Sequence, residues 1–281
     1  TATGEGLSYL WERSTNAGSS WSAVSSGSNT YSFTASPGME GYLFRCTVSN
    51  DGCPPVLSNQ ARLGIKLYEF SSHTFTNCGQ TGTTGPSLAT CRSSYSAASW
   101  ANTYLTMTTN GIQQWTVPQT GTYRIEACGA QSGVATTGWS GKGARMIGDV
   151  ELESGDILHI LVGQMGSASS YAGAGGGTFV AEGSSLSSTI PLIVAGGGGS
   201  SGQNTGTRFT QSQSDGQTDM NGMNGTGNSY GAGATNDSSP AQAGSNYCPG
   251  AGGGGFYING ASIGSYNGGN SFRNGGVGGT G

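Results

Sequence analysis

Glycine occupies 54 of the 281 residues, where a globular chain of this length carries about 20. From Ala172 to the C-terminus it dominates, and the only charged side chains there are Glu182, Arg208, Asp215, Asp219, Asp237 and Arg273. Ordering a glycine costs about 0.5–1 kcal/mol more than ordering an alanine, so about thirty of them impose a penalty of about 15–30 kcal/mol. A Gly/Ser linker escapes that cost by staying disordered, but such a linker does not carry Phe179-Val180, Leu192-Ile193-Val194 or Phe256-Tyr257-Ile258. The alternative is ordered backbone: side-chain-free segments in the polyproline II conformation, their N–H and Cα–H groups set against neighbouring carbonyls. Only glycine permits that approach, as at the collagen axis. Collagen itself is excluded, because the glycines cluster instead of recurring every third residue and proline numbers only 8.

Charge removes further classes. The ten basic residues are scattered and the net charge is -4, so there is no electrostatic footprint for nucleic acid. No apolar run approaches the ~18–20 residues that cross a bilayer, and too little charge is present for an expanded disordered tail. The six cysteines, Cys46, Cys53, Cys78, Cys91, Cys128 and Cys248, show no CxxC spacing and no neighbouring histidine, which argues against zinc. An even cysteine count with scarce lysine points to an oxidising, extracellular compartment. Asn224-Gly225-Thr226 and Asn236-Asp237-Ser238 are glycosylation sequons.

Residues 1–66 read as short strands separated by turns. Leu7 to Arg13 alternates in period two, Asn16-Ala17-Gly18 marks a turn, Tyr31 to Thr34 reads as a strand, and Tyr42 to Val48 is another that turns at Ser49-Asn50-Asp51-Gly52. Ala61 to Ile65 ends the block. Downstream, Phe75 to Cys91 is a Gly/Thr/Pro loop that a Cys78–Cys91 bridge would close, worth about 3 kcal/mol in the chain-entropy model. Tyr123, Ile125 and Ala127 share a strand face. Met146–Leu152 and Ile157–Val162 read as antiparallel partners joined by Glu153-Ser154-Gly155-Asp156.

The first block, through Gly6 to Trp11, the turn Ser14 to Trp21, Gly41 to Asn50 and Ser58 to Ala61, resembles the immunoglobulin-like modules of large bacterial surface proteins. Trp11 would be its core tryptophan. Such a module has strands before that tryptophan, and only a few residues precede it here. Either the sequence starts inside a domain or a neighbouring chain supplies the missing strand. Cys46 accordingly either closes a hairpin with Cys53 or takes a partner upstream of Thr1.

The runs Gly111 to Pro118, Gly121 to Ala130, Gly141 to Gly148, Gly155 to Leu158, Ile160 to Gln164 and Pro191 to Gly199 together resemble the glycine-rich extracellular domain of the anaplastic lymphoma kinase and leukocyte tyrosine kinase receptors. The resemblance extends from about residue 68 to the end. It implies a tumour-necrosis-factor-like β-sandwich with inserted polyglycine II helices. In the animal receptors the region binds a protein cytokine; in microbial and phage relatives without a kinase, surface or adhesive roles are expected. The glycine runs here are shorter, and Cys128 and Cys248 are additions, so no ligand-contacting residue is carried over.

Several sites tempt and fail on chemistry. Gly197-x-Gly199-x-x-Gly202 with Asp219 imitates a dinucleotide fingerprint, but no helical periodicity follows. His73 and His159 are the only histidines; His159 sits within a strand pattern, and no nucleophile elbow exists for a hydrolase triad. Asp149, Glu151 and Glu153 form an acidic stripe that reads as a solvated face before it reads as a calcium site, and Asp215, Asp219, Asn221 and Asn224 read as a polar loop. Tyr9, Trp21 and Tyr31 suit sugar stacking as well as packing.

The expectation is an all-β chain: a partial immunoglobulin-like sandwich (1–66), then a β-sandwich (~68–195) with a glycine-helix region (~172–281). It is expected to be secreted, non-enzymatic and free of cofactor or metal. Its role would be that of a structural or adhesive module of a microbial filament or adhesin, self-associating or binding a glycan or protein. A receptor ectodomain or phage tail-fibre adhesin is the alternative.

Overall fold

The computed structural model describes residues 6–134, 140–167, 173–199, 215–217, 253–262 and 267–279. Among the described residues the fold is all-β, built from antiparallel sheets with two short α-helices. It divides into two compact units: Thr1–Phe70 with Val117–Gly121 and Leu152–Gly155, and Ser71–Thr116 with Thr122–Glu151 and Asp156–Gly281.

In the first unit, β1 (Ser8–Ser14), β2 (Ser22–Ser26), β3 (Leu43–Asn50), β4 (Cys53–Leu57) and β5 (Ala61–Arg62) form one sheet in the order β2-β1-β3-β4, with β5 also on β3. Residues directly opposite in an antiparallel pair share a face. Trp11 opposite Cys46 and Arg13 opposite Phe44 therefore lie on one side, and Glu12 opposite Arg45 on the other. The β1–β2 turn is set by side chains: Ser14 Oγ accepts from Gly18 N, while Asn16 Oδ1 accepts from Ser20 N. Tyr31 to Thr34 is not a strand. Its rings instead stack on the sheet beside Trp11 and Phe44, and Trp11 Nε1 donates to Ser28 O at 3.0 Å, which draws the loop over that face. Glu40 ties the unit together by accepting from Ile65 N and from Thr120 Oγ1 (2.8 Å) and by pairing with Arg62.

The second unit holds α1 (Leu88–Ser94), α2 (Ala101–Tyr104), β6 (Leu105–Thr109), β7 (Ile112–Thr116), β8 (Gly121–Cys128), β9 (Arg145–Leu152), β10 (Ile157–Leu161), β11 (Thr178–Glu182) and β12 (Ile190–Ala195). A five-stranded sheet runs β12-β11-β10-β7-β6, and β8 and β9 form a separate pair. The chain 153–156 is thus not a hairpin turn. It carries the chain from one sheet to the other, because β10, with apolar residues on both faces, pairs with β7 and β11 inside the larger sheet.

One face of the five-stranded sheet meets the β8–β9 pair, where the Trp115 and Tyr123 rings lie 6.0 Å apart and Ile193 rests near Gly148. The opposite face is closed by the C-terminal segment, whose Phe256 and Phe272 pack with Ile112, Phe179 and Ala181. Helix α1 starts where Ser87 caps Thr90 N. Cys91 on that helix is bonded to Cys78 with 5.2 Å between Cα atoms. Behind the disulfide, the Tyr95 hydroxyl donates to Gln113 Oε1 and accepts from Thr76 N, so a fully buried glutamine is satisfied.

Candidate functional site

Six segments, 129–133, 140–144, 163–167, 173–177, 196–199 and 215–217, pack backbone to backbone. Gly129 N and Ser132 N donate to Ala144 O and Gly141 O, both at 2.9 Å. Ala130 N and Gly133 N donate to Gly176 O and Gly173 O, again both at 2.9 Å. Gly176 N and Gly173 N donate in turn to Gln164 O and Ser167 O. In each pair, donors three residues apart meet acceptors three residues apart. A β-ladder repeats every two residues, whereas the polyproline II helix repeats every three. The segments therefore have threefold character, and each one can point donors and acceptors at several neighbours.

Five of the segments, all but 215–217, continue β8, β9, β10, β11 and β12. Leu161 pairs with Phe179, and farther along the same two chains Gly176 bonds Gln164. Thr178 pairs with Ala195, and beyond it Gly175 N donates to Gly198 O at 2.8 Å. Packed sheets stand about 10 Å apart because side chains separate them. Where the side chains end, the two layers close to hydrogen-bonding distance, as the bond from Ala130 N, beyond β8, to Gly176 O, before β11, shows.

Glycine is required here for its missing Cβ. A Cβ on Gly129 would lie 2.0 Å from Gly196 O, and one on Gly198 would lie 2.1 Å from Gly141 O. Neither has a positive φ. Ser132 and Thr178 serve as polar keystones. Ser132 Oγ accepts from Gly141 N, and Thr178 Oγ1 donates to Cys128 O (2.6 Å) while accepting from Gly163 N (3.0 Å). At the margin, Asp215 Oδ1 accepts from Lys142 N at 2.8 Å. The sequence pattern did not single out Ser132 or Thr178; their only signal is a hydroxyl placed among glycines.

Gly197 and Gly198 belong to this bundle, packed on Gly175 and Gly141. The disulfide Cys78–Cys91 is formed, whereas Cys46 is a buried free thiol and Cys53 and Cys128 are exposed free thiols. Closure of the hairpin by Cys46 and Cys53 is corrected by register. Cys53 pairs with Asn50, while Cys46 O accepts from Ser58 N at the other end of the ladder. Four strand residues span about 13 Å, beyond the ~7 Å that a disulfide bridges. Burial pushes the Cys46 thiol above its ordinary pKa. Cys248 and the sequon residues Asn224 and Asn236 lie outside the described residues, as do Asp219 and Asn221.

His159 is fully buried, with Nε2 2.9 Å from Gly183 O; burial lowers its pKa against that contact. His73 stands edge-on to Phe75, Tyr95 and Trp100 at 4.5–4.9 Å, and burial lowers its pKa too. The outward face of β8–β9 is a charge ladder. Arg124 bonds Asp149 at 2.9 Å, Arg145 bonds Glu126 at 2.6 Å, and Thr122 bonds Glu151. Arg124 and Arg145 hold their carboxylate partners below the usual range. Among the described residues, no three His, Cys, Asp or Glu side chains gather to hold a metal, and no helix is long and apolar enough to cross a membrane.

A family model described as a domain of unknown function (DUF8696) matches residues 1–66, the stretch that contains β1 to β5.

Proposed function

We propose that the protein is a secreted, non-enzymatic structural and adhesive module of a microbial surface filament or large adhesin. Residues 67–281 would act as a glycine-rich domain of the receptor-like type noted above, and residues 1–66 as an immunoglobulin-like surface module. The observation that carries this reading is the bundle. Backbone hydrogen bonds without intervening side chains make a stiff, almost uncharged body. It offers no cluster of catalytic groups among the described residues, and it suits load-bearing better than turnover. The Cys78–Cys91 bridge fits an oxidising, extracellular setting.

Partners in this reading are further copies of the chain, associating through strand or glycine-segment edges. Purified protein examined at high concentration by sedimentation and negative-stain microscopy is expected to form ordered polymers. A strictly monomeric sample would overturn the filament assignment. A second reading, a recognition module for a glycan or protein, is favoured by the half-exposed rings on the first unit.

A further inference from the structure

Most strands at the margins of these sheets are guarded against further pairing. In the first unit, β4 carries Pro54 and Pro55, and the pairing of β2 is interrupted by a bulge between Trp11 and Glu12. In the five-stranded sheet, β12 carries Pro191, and β6 packs against α1 and α2 with an irregular register between Thr106 and Thr109. Proline removes a ladder donor and a bulge twists an edge away, so both discourage a further strand. The outer edge of β8 is occupied at its end, where Cys128 O accepts from Thr178 Oγ1. Strand β9 is different. It runs eight residues without proline, and among the described residues no strand other than β8 pairs with it.

The register shows what that edge presents. Gly129 N donates to Ala144 O, Arg124 bonds Asp149, and Thr122 bonds Glu151, which fixes one alignment along the β8–β9 pair. In an antiparallel ladder every second residue bonds the partner strand. Counting by twos from Ala144, the residues Met146, Gly148 and Val150 turn their amides and carbonyls to β8. Arg145, Ile147, Asp149 and Glu151 therefore turn theirs outward, and the same four carry their side chains on the solvent face. Ile147 stands 48% exposed between the charges. Along one face the edge runs cation, apolar, anion.

That order is complementary to itself. A second β9 running antiparallel must set outward-turned residues against outward-turned residues. Centred on Ile147, the pairing sets Ile147 against its own copy and, twice over, Arg145 against Asp149 of the second copy. Arg124, Asp149 and the second copy's Arg145 then alternate in sign across the joint. On the inner side Met146 faces the second copy's Gly148, a long side chain over a missing one. Other alignments are poorer: centring on Arg145 or Asp149 opposes like charges, and centring on Gly148 sets Ile147 against Asp149. Opposite-charge and apolar cross-strand pairs stabilise a sheet, whereas like charges directly opposite destabilise it. We infer that the outer edge of β9 is a self-association surface, where two copies join by antiparallel β9 pairing about a twofold axis through Ile147. This rests on the self-association reading above and names the edge it uses. A twofold contact closes on itself as a dimer, and a filament needs a second contact, so either claim can fail alone.

The test is disulfide trapping and sedimentation of the full chain. A residue on the axis faces its own copy with Cα atoms about 5.5 Å apart, within the span of about 4.4–6.8 Å that a disulfide bridges. Ile147→Cys under mild oxidation is expected to give a disulfide-linked dimer on non-reducing gels. Its yield should exceed at least tenfold the background set by the wild type and by Glu151→Cys, a solvent-facing position whose copy would lie at the far end of the joint. Ile147→Lys places like charges on the axis at an exposed position, and should raise the dimer dissociation constant at least tenfold while near-UV circular dichroism stays native. A wild type that stays monomeric, an Ile147→Lys protein that associates like the wild type, or an Ile147→Cys protein trapped no better than Glu151→Cys would each overturn the assignment. Polymers that persist unchanged in Ile147→Lys would overturn it and leave the filament reading standing. A wild type that stops at a dimer, lost in Ile147→Lys, would support it and overturn the filament.

Discussion

The five-stranded sheet and the glycine bundle are made from the same chains, yet they are held by opposite means. Along β10 and β11 neighbours meet through Ile160, Val180, Phe179 and Leu161, and stability comes from apolar area withdrawn from water. A few residues farther along, the same two chains meet through carbonyls and amides alone. The difference teaches that pairing direction can survive the loss of side chains while the repeat changes from two residues to three. It also separates two kinds of fragility: the sheet is weakened by deleting atoms, the bundle by adding them.

Adding atoms should have the largest effect. Gly129→Ala places a methyl carbon 2.0 Å from a backbone oxygen that cannot swing aside, and a loss above about 4 kcal/mol is expected. Thermal denaturation, with amide exchange across 129–199, should register the bundle opening. Gly196→Ala in the same bundle meets nothing within 4 Å and should stay within about 0.5 kcal/mol of the parent. If the two variants behave alike, the packing described above is wrong.

Deleting atoms tests the other region. Phe272→Ala removes a fully buried ring from the closed face of the sheet and should cost about 3–5 kcal/mol by urea denaturation. Next in size is reduction of Cys78–Cys91. It should remove about 3 kcal/mol, read as a fall in Tm that Cys78→Ser/Cys91→Ser reproduces and the Cys53→Ser variant does not.

A smaller, pH-dependent loss separates the regions again, because both histidines belong to the side-chain-packed part. Burial lowers the pKa of His159 and of His73 in the folded chain. Below about pH 6.5 the unfolded chain therefore binds protons that the folded chain refuses. Stability present above that pH declines as the pH falls toward the lowered folded values, by at most about 1.4 kcal/mol per unit for each histidine. A pH series of urea midpoints should show the decline, and His159→Gln should flatten it. The smallest effect belongs to the solvent-facing Arg124–Asp149 pair on β8–β9: Arg124→Ala should leave the urea midpoint close to that of the parent, because water and salt screen an exposed ion pair.

Period-two alternation made β1 and β8 legible, down to the inward face of Tyr123, Ile125 and Ala127, because each has one wetter side. The apolar strand β10 hid its partners. A strand buried on both faces carries no alternation, so nothing local separated a hairpin with β9 from a crossover. Helix α1 was obscured by the glycines and threonines before it, although Pro86-Ser87 with Thr90 was a usable cap signal. The glycine runs announced close backbone packing, but no spacing revealed which run meets which. That information lies in the strands that deliver them, and Phe256 and Phe272 reach Phe179 only through tertiary closure.

The three-residue repeat sets a grammar for length change. Inserting or deleting three residues in a bundle segment leaves every later amide aimed at the neighbour it already faced. A change of one or two turns all that follow by about a third of a revolution, toward a different neighbour. Natural variants of this chain should thus gain and lose glycine-segment residues in triplets, much as coding sequences tolerate codons and reject single bases.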